Sequence, residues 1–380
     1  MRKTVLNPSA CRRAAGLTLI ELMVSMAIGM IIVLALTQIT VDFERQKRVT
    51  IGSSDSGDSA ISAMVLMRSS LASAGHSMNS SAAVGCQLSF YREIDSTAVS
   101  FSDADPTSPA NLPNPPRLYP VYIAQGASGA ADTVTILGGS GRRYAETLIQ
   151  TSHSGDTSDF VTMGNLGFLP PSAGEPGDVA LVTQDALGQP CAIVEVTARS
   201  GNNISHLSGS NSRYNNPAGT GQTFAANTSK MTNLGRNPLI QQFSIVNGRF
   251  QQFDFLTGTT NVLFDNAISL QAQYGFRNAS TGLVNWCDTQ GGTGCPSGVG
   301  GVEWPDLNAV RLALVLRNAN KDCSANSPTT LYVPTGSDPA TTSNLPWATV
   351  SLAGISDASC YRYQVVESVV PLRNVIWSAQ

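Results

Sequence analysis

The first residues with chemical consequences lie near the start of the chain. The small residue Gly16 precedes an apolar run, and Glu21 places a carboxylate at the beginning of that run. A peptidase cutting after Gly16 would leave a free α-amino group on Leu17, four residues before Glu21 and on the same helix face. A carboxylate in an apolar span is costly unless a cation compensates it. The pattern predicts cleavage between Gly16 and Leu17, followed by an amine–carboxylate pair, within one chain or between adjoining subunits, that sets axial register.

The order of these features differs from that of an ordinary secretory signal, in which the cleavage site follows the apolar core. Here cleavage would remove a basic leader, residues 1–16, and keep the apolar helix as the mature N-terminus. The transmembrane part is predicted at 20–41. Its residues 22–41 are 20 residues without a charge, about 30 Å as a helix, which is enough to cross a bilayer. The positive-inside rule puts the leader in the cytoplasm and the rest of the chain outside. The alternative is a plain single-span anchor with a stray glutamate.

The cysteines indicate disulfides. The sequence has seven cysteines, of which Cys11 lies in the leader. The even number that remains fits an oxidising compartment, although six cysteines allow 15 pairings. We expect neighbours along the chain to pair, giving Cys86–Cys191, Cys287–Cys295 and Cys323–Cys360. A zinc site is the alternative, but the sequence contains no CxxC pair and no Cys/His cluster.

Other residues that could do chemistry form no catalytic pattern. The histidines His76, His153 and His206 belong to no HExxH motif and to no Ser/His/Asp grouping. Residues 102–106 contain two aspartates but lack the spacing of a calcium loop. The tryptophans could form an aromatic binding platform or be buried; they are Trp286, Trp304, Trp347 and Trp377. We therefore expect no enzyme, cofactor or metal, and the net charge of −3 gives no field that would gather nucleic acid.

The elements that position these residues begin with a long helix, predicted over 17–76, with Gly75 as its stop. Its second half keeps apolar residues at helical spacing, which predicts packing on a head. The members of this expected stripe are Ile61, Met64, Val65, Arg68, Leu71 and Ala72.

For residues 77–380 the sequence pattern predicts a β-rich head. The expected strands are Gln87–Glu93, Ala98–Ser102, Thr133–Leu137, Asp178–Thr183, Ala192–Thr197, Ile240–Asn247, Gly248–Leu256, Ile268–Phe276, Ala309–Leu316 and Tyr361–Val370. Asn247-Gly248 predicts a type I′ hairpin turn. Residues 102–117 and 200–237 are predicted to be loops. Because no βα alternation is present, the fold class is α+β, with a long helix packed on an antiparallel sheet.

The stretch from Gly16 to Gly29 closely resembles the leader signal of type IV pilins and of type II secretion pseudopilins, although Leu17 stands where Phe is commoner. Three later segments resemble the PilW-like minor pilins; they are Ala267–Phe276, Trp304–Arg317 and Tyr361–Asn374. The resemblance covers both ends of the chain and not residues 100–240. It implies a pilin-like fold, cleavage between Gly16 and Leu17 by a prepilin peptidase, and N-methylation of Leu17.

The resemblance also implies a function. We expect a minor pilin that helps to initiate type IV pilus assembly at or near the tip, supporting twitching motility, adhesion or DNA uptake. The implied partners are the major pilin, other minor pilins, the prepilin peptidase/N-methyltransferase and the inner-membrane assembly platform. The expected location is the inner membrane with a periplasmic head, and then the pilus. Two alternatives remain open: a minor pseudopilin of a type II secretion system, and a tip adhesin whose head binds a ligand through residues 200–237 or the tryptophans.

Overall fold

The computed structural model describes residues 18–78, 84–100, 118–126, 129–140, 146–164, 167–184, 189–209, 212–278, 281–288, 306–323, 329–334 and 347–374. The chain forms two compact units, Met1–Gly52 and Ser53–Gln380. One long helix, α1 (Leu19–Ala72, 54 residues), begins in the first unit and ends in the second. The second unit is the head.

Twenty strands are present among the described residues of the head. They are β1 (Gln87–Arg92), β2 (Thr97–Ser100), β3 (Val121–Ala124), β4 (Thr133–Gly138), β5 (Glu146–Leu148), β6 (Phe160–Val161), β7 (Val179–Gln184), β8 (Pro190–Glu195), β9 (Ala198–Ser200), β10 (Asn203–Ser205), β11 (Ser229–Gly235), β12 (Leu239–Val246), β13 (Arg249–Asp254), β14 (Thr259–Asp265), β15 (Ala267–Arg277), β16 (Val284–Cys287), β17 (Leu307–Arg317), β18 (Thr330–Val333), β19 (Ala348–Ser351) and β20 (Tyr363–Pro371). A short 3-10 turn, Ala358–Cys360, precedes β20.

The strands form five sheets. A six-stranded sheet has the order β2-β1-β8-β7-β11-β5, a five-stranded sheet the order β14-β13-β12-β4-β3, and a four-stranded sheet the order β16-β15-β17-β20. Two smaller sheets are β6-β10-β9 and β18-β19. The pairing is antiparallel as expected, with one difference: β1 and β8 run parallel. The expected α+β class, a long apolar helix followed by antiparallel sheets, is confirmed.

The second half of α1 packs on the head through a face that is shifted from the expected stripe. Its buried residues repeat at helical spacing; they are Ala60, Ala63, Met64, Met67, Ser70 and Leu71. Met64 and Leu71 were expected there, whereas Ile61 and Val65 are 55% and 58% exposed. The buried face therefore combines two alanines with the larger Met64, Met67 and Leu71, which belong to the main core.

The helix ends at the point where it meets β4. Gly75 adopts φ 71°, and its N–H donates to the Leu137 carbonyl at 2.9 Å. On β4, a Cβ at Gly138 would lie 2.1 Å from the Ser73 carbonyl oxygen, so only glycine permits this approach. The Asn374 amide donates to the carbonyls of Ala72 and Ala74 at 3.1 and 3.2 Å. Asn374 therefore caps the helix end, whose carbonyls have no partners within the helix.

Two local predictions for the head are confirmed. Asn247 and Gly248 have φ of 52° and 73° between β12 and β13, as a type I′ turn requires. Strand β17 alternates as expected: Val310, Leu312, Leu314 and Leu316 belong to the main core, and Val315 belongs to a small cluster on the other face. The main core joins α1 to the three larger sheets, because it takes residues from each of them.

The segment 200–237 is more ordered than the sequence predicts. It contains β10 and β11, and β11 is an inner strand of the six-stranded sheet between β7 and β5. Its inward residues, including Met231, help to form a second core around Phe160, Phe168 and Phe224. The sequence hides β11 because its polar residues, such as Asn233, are buried and hydrogen-bonded to other parts of the head. The other expected loop, 102–117, lies outside the described residues.

Two disulfides join neighbours along the chain, and both are pairs expected from the sequence. Cys86–Cys191 connects the start of β1 to β8, and Cys323–Cys360 closes a shorter loop before β20. Cys287 is also disulfide-bonded; its expected partner, Cys295, lies outside the described residues.

Candidate assembly site

The beginning of α1 is fixed by two side chains that cap each other. The Glu21 N–H donates to Thr18 Oγ1 at 3.3 Å, and Glu21 Oε2 accepts from the Thr18 N–H and from Thr18 Oγ1, each at 3.0 Å. This arrangement is a capping box, which satisfies N–H groups that a helix start otherwise leaves unpaired. The Thr-x-x-Glu spacing is visible in the sequence, whereas the sequence analysis predicts only a pairing role for Glu21. The other residues of the predicted site, Gly16 and Leu17, lie outside the described part of the chain.

The first unit presents an apolar helical surface. Its large apolar side chains from Leu19 to Phe43 are exposed. Within the described residues, α1 is the one helix that is long and apolar enough to cross a membrane. Such a surface is stable in lipid or against other apolar helices, and not in water.

In the head, an ion pair attaches the 200–237 segment to β8. The fully buried Glu195 carboxylate accepts from Arg213 Nε at 3.0 Å and from the Arg213 N–H at 2.6 Å. Asn215 adds a second connection between the segment and β8. Its Oδ1 accepts from the Glu195 N–H and its Nδ2 donates to the Glu195 carbonyl, each at 2.7 Å. Burial raises the pKa of Glu195, while the Arg213 charge opposes that shift. These contacts hold the part of the segment around residues 213 and 215 against the end of β8.

Two of the three histidines form a buried pair, and one of them, His206, belongs to the same segment. His153 Nδ1 accepts from the Gly155 N–H, which places the proton on Nε2, 3.1 Å from the Ser158 carbonyl and 3.2 Å from His206 Nε2. His153 also stacks on Phe160, with ring centroids 4.0 Å apart. Burial lowers the pKa of both imidazoles, that of His206 to about 4. The nearby acids are Asp156 and Asp159. Both histidines are therefore neutral at pH 7.

This pair makes the stability of the head depend on pH. Between the pKa of an unfolded histidine, about 6.5, and about 4, the unfolded chain binds more protons than the folded chain, so stability falls as the pH falls. From pH 7 to 4.5 we expect His206 to cost roughly 2–3 kcal/mol of unfolding free energy. Urea unfolding of the wild type and of His206→Gln at several pH values measures this loss, because a Gln side chain does not bind a proton in this range. Parallel pH profiles for the two proteins would contradict the assignment.

Two tryptophans surround an arginine and do not form an open platform. The Arg311 guanidinium lies 4.7 Å from the Trp286 ring centroid and 4.5 Å from that of Trp347. Arg311 Nε donates to Gln273 Oε1, which fixes the side chain on the outer face of β17. One face of each ring is thus already occupied by a cation. Trp304 and Trp377 lie outside the described residues.

Metal binding or catalysis in the described part of the head would require suitable side chains to lie together in a group. No group of three or more His, Cys, Asp or Glu side chains that could hold a metal ion occurs there. His76 is half-buried in the turn after α1, away from the other two histidines, which contact each other. Residues 102–106 lie outside the described residues.

Comparison with known proteins agrees with this geometry. Residues 11–37 match the prokaryotic N-terminal methylation motif. Residues 244–374 match the family described as type IV pilus-assembly protein W. This second match ends at Asn374, the residue that caps α1. No curated protein and no solved structure is significantly similar to the chain.

A methylation motif on a long apolar helix, followed by a β-rich head, defines a membrane-anchored pilin of the type IV class. The match over β13 to β20 makes the assignment more specific. Together the two matches support a PilW-like type IV pilin, that is, a minor pilin or assembly protein related to the type IV pilus.

Proposed function

We propose that this minor pilin helps to initiate assembly of a type IV pilus and occupies a position at or near the tip. The observation that carries the proposal is the exposed apolar first half of α1, with Glu21 at its start, joined to a head of twenty described strands. The apolar helix suits a filament core. A head of this size is awkward to repeat along a thin filament, which favours a low-copy position. Twitching motility, adhesion and DNA uptake are the pilus activities it would support.

Processing precedes assembly in this proposal. A prepilin peptidase removes residues 1–16, Leu17 becomes the methylated N-terminus, and its amine pairs with Glu21 of the same or an adjoining chain. The capping box supports a role for this carboxylate in the helix start, since Thr18 already holds it there. The amine of a neighbouring subunit would then compete with Thr18 for Glu21, which links helix capping to register.

Location and partners follow from the same surfaces. The disulfides favour an oxidising compartment, which supports a periplasmic head, and we propose that the helix lies in the inner membrane. The proposed partners are the major pilin, other minor pilins and the assembly platform. Ile61 and Val65, left exposed on the head part of α1, are candidate contacts for a neighbouring subunit. The match to a pilus-assembly family favours the pilus over a type II secretion system.

Processing and assembly are tested in one series. Intact mass and N-terminal sequencing of membrane-extracted protein are expected to give a wild-type chain beginning at methylated Leu17 and an uncut Gly16→Ala chain. For Glu21→Gln we expect normal cleavage but at least tenfold less protein in sheared pili. Gln keeps the oxygen that caps the helix and loses the charge, and a hydrogen bond to a charged group is worth roughly 1.5–3 kcal/mol.

Thr18→Ala is the matched control, because it removes the cap and keeps the carboxylate; we expect it to be cleaved and incorporated nearly as the wild type. An uncut wild-type chain in cells with an active prepilin peptidase would overturn the processing proposal. Abundance equal to that of the major subunit, evenly along the pili, would overturn the tip position. If deletion of this protein abolishes exoprotein secretion and leaves the pili intact, the chain is instead a pseudopilin of a type II secretion system.

A further inference from the structure

A cavity of about 250 Å³ lies in the head between the six-stranded sheet and the described residues of the 206–222 stretch, which are 206–209 and 212–222. Strands β1, β2 and β8 form one wall, with Phe90, Tyr91 and Ala98 among its residues. Tyr214 and Gln222 contribute to the opposite wall. The volume is below the roughly 300–1,000 Å³ of pockets for drug-sized ligands, so the cavity suits one small ring.

The side chains around the cavity select a neutral, polar occupant. No Asp, Glu, Lys or Arg lines it, and His206 is uncharged at pH 7 because burial lowers its pKa to about 4. Tyr214, with its hydroxyl, and Gln222, with its carboxamide, both belong to the lining. Aromatic rings beside hydroxyl and amide groups match a molecule with apolar faces and hydroxyl edges.

The wall formed by the 206–222 stretch is held in place before any ligand arrives. Asn215 uses its carboxamide on the backbone of Glu195 and Leu207. The Gly221 N–H donates to the Gly155 carbonyl at 2.9 Å. Gly219 adopts φ +91°, and a Cβ there would lie 2.3 Å from the Asp156 backbone. A site fixed in this way loses little conformational freedom on binding, which favours affinity.

We infer that this cavity binds one neutral saccharide residue, either as a free sugar or as the end of a glycan chain. The Tyr214 hydroxyl and the Gln222 amide bond its hydroxyl groups, and Tyr91 supplies an aromatic surface. This assignment goes beyond the assembly function, so its failure would leave the processing and pilus experiments unaffected.

The test uses the full chain in micelles of a zwitterionic detergent, because a glycoside detergent would itself offer sugar. Saturation-transfer NMR with glucose, galactose and N-acetylglucosamine tests the free sugar, and the same residues at the ends of immobilised oligosaccharides test the glycan. We expect at least one to bind with a Kd on the order of 1 mM, a typical strength for about 12 heavy atoms. N-acetylneuraminic acid, which is anionic, is expected not to bind.

Three variants test whether the sugar detected by NMR binds in this cavity. Ala98 is exposed at the rim, so Ala98→Phe blocks the cavity without disturbing the core and is expected to abolish binding. Tyr214→Phe keeps the ring and is expected to weaken binding about 5- to 10-fold, the loss of one hydrogen bond. Tyr332→Phe, on β18 and outside the cavity, is the matched control and should bind as the wild type. Binding of none of the three neutral sugars in either form, or binding that survives Ala98→Phe, would overturn the inference.

Discussion

Replacing Arg213 with alanine is expected to lower the unfolding free energy of the head by about 3 kcal/mol at pH 7. Arg213 is about one-third exposed, whereas the carboxylate it pairs with, Glu195, is fully buried. The backbone N–H at position 213 would still donate to Oε2, but Oε1 would lose its cation and its hydrogen bond. A buried charge that loses its partner keeps its full desolvation cost, which explains the size of the effect.

Urea unfolding of the full chain, followed by tryptophan fluorescence, measures this loss. Arg249→Ala is the matched control, since its partner Asp265 is exposed on β14, and it should cost no more than about 0.5 kcal/mol. In Arg213→Ala the pKa of Glu195 rises further above its unfolded value, so the variant loses stability as the pH rises and is closer to the wild type at pH 5 than at pH 8. Equal losses for the two arginine variants would mean that the buried pair does not hold the 200–237 segment.

Removing the Cys86–Cys191 disulfide is expected to cost about 4–5 kcal/mol. The two cysteines are 105 residues apart, and in the chain-entropy description a bridge across about 100 residues restricts the unfolded chain by about 4.7 kcal/mol. Both are buried where β1 meets β8, so Cys86→Ala/Cys191→Ala also loses packing in the main core. Urea unfolding of the double variant measures the effect.

The Cys323–Cys360 bridge provides the comparison. It closes 37 residues, and neither of its cysteines is buried. The same entropy relation gives it about 1 kcal/mol less, and its removal leaves no core cavity. We therefore expect Cys323→Ala/Cys360→Ala to be the more stable double variant, and a thiol reductant to open this bridge first. The reverse order of stabilities would show that β1 is held to β8 without its disulfide.

The sequence determines the features that depend on neighbours along the chain. The apolar run with one early carboxylate specifies the membrane helix, and Asn247-Gly248 specifies a turn because both residues tolerate positive φ. The alternation on β17 specifies its two faces, because side chains of a strand alternate regardless of partner. Thr18 and Glu21 belong to this group too, since their spacing alone permits the capping box.

Only the tertiary structure decides which of two adjacent helix faces is buried. Ile61 and Val65 have the spacing of a core stripe, but they are exposed, and the neighbouring face with Ala60, Ala63 and Met67 is buried in the core. Periodicity fixes the spacing of a stripe; its direction depends on the shape of the surface it meets.

The same limit applies to residues whose partners are far away in sequence. Asn374 caps a helix that ends about 300 residues earlier, and Arg213 orders a segment of loop-like composition through the buried Glu195. The cavity beside Tyr214 exists because that segment is held against β1 and β8. The local sequence around a polar side chain does not predict a partner far away in the chain. The roles of these residues therefore become visible only when folding brings the partners within hydrogen-bond distance.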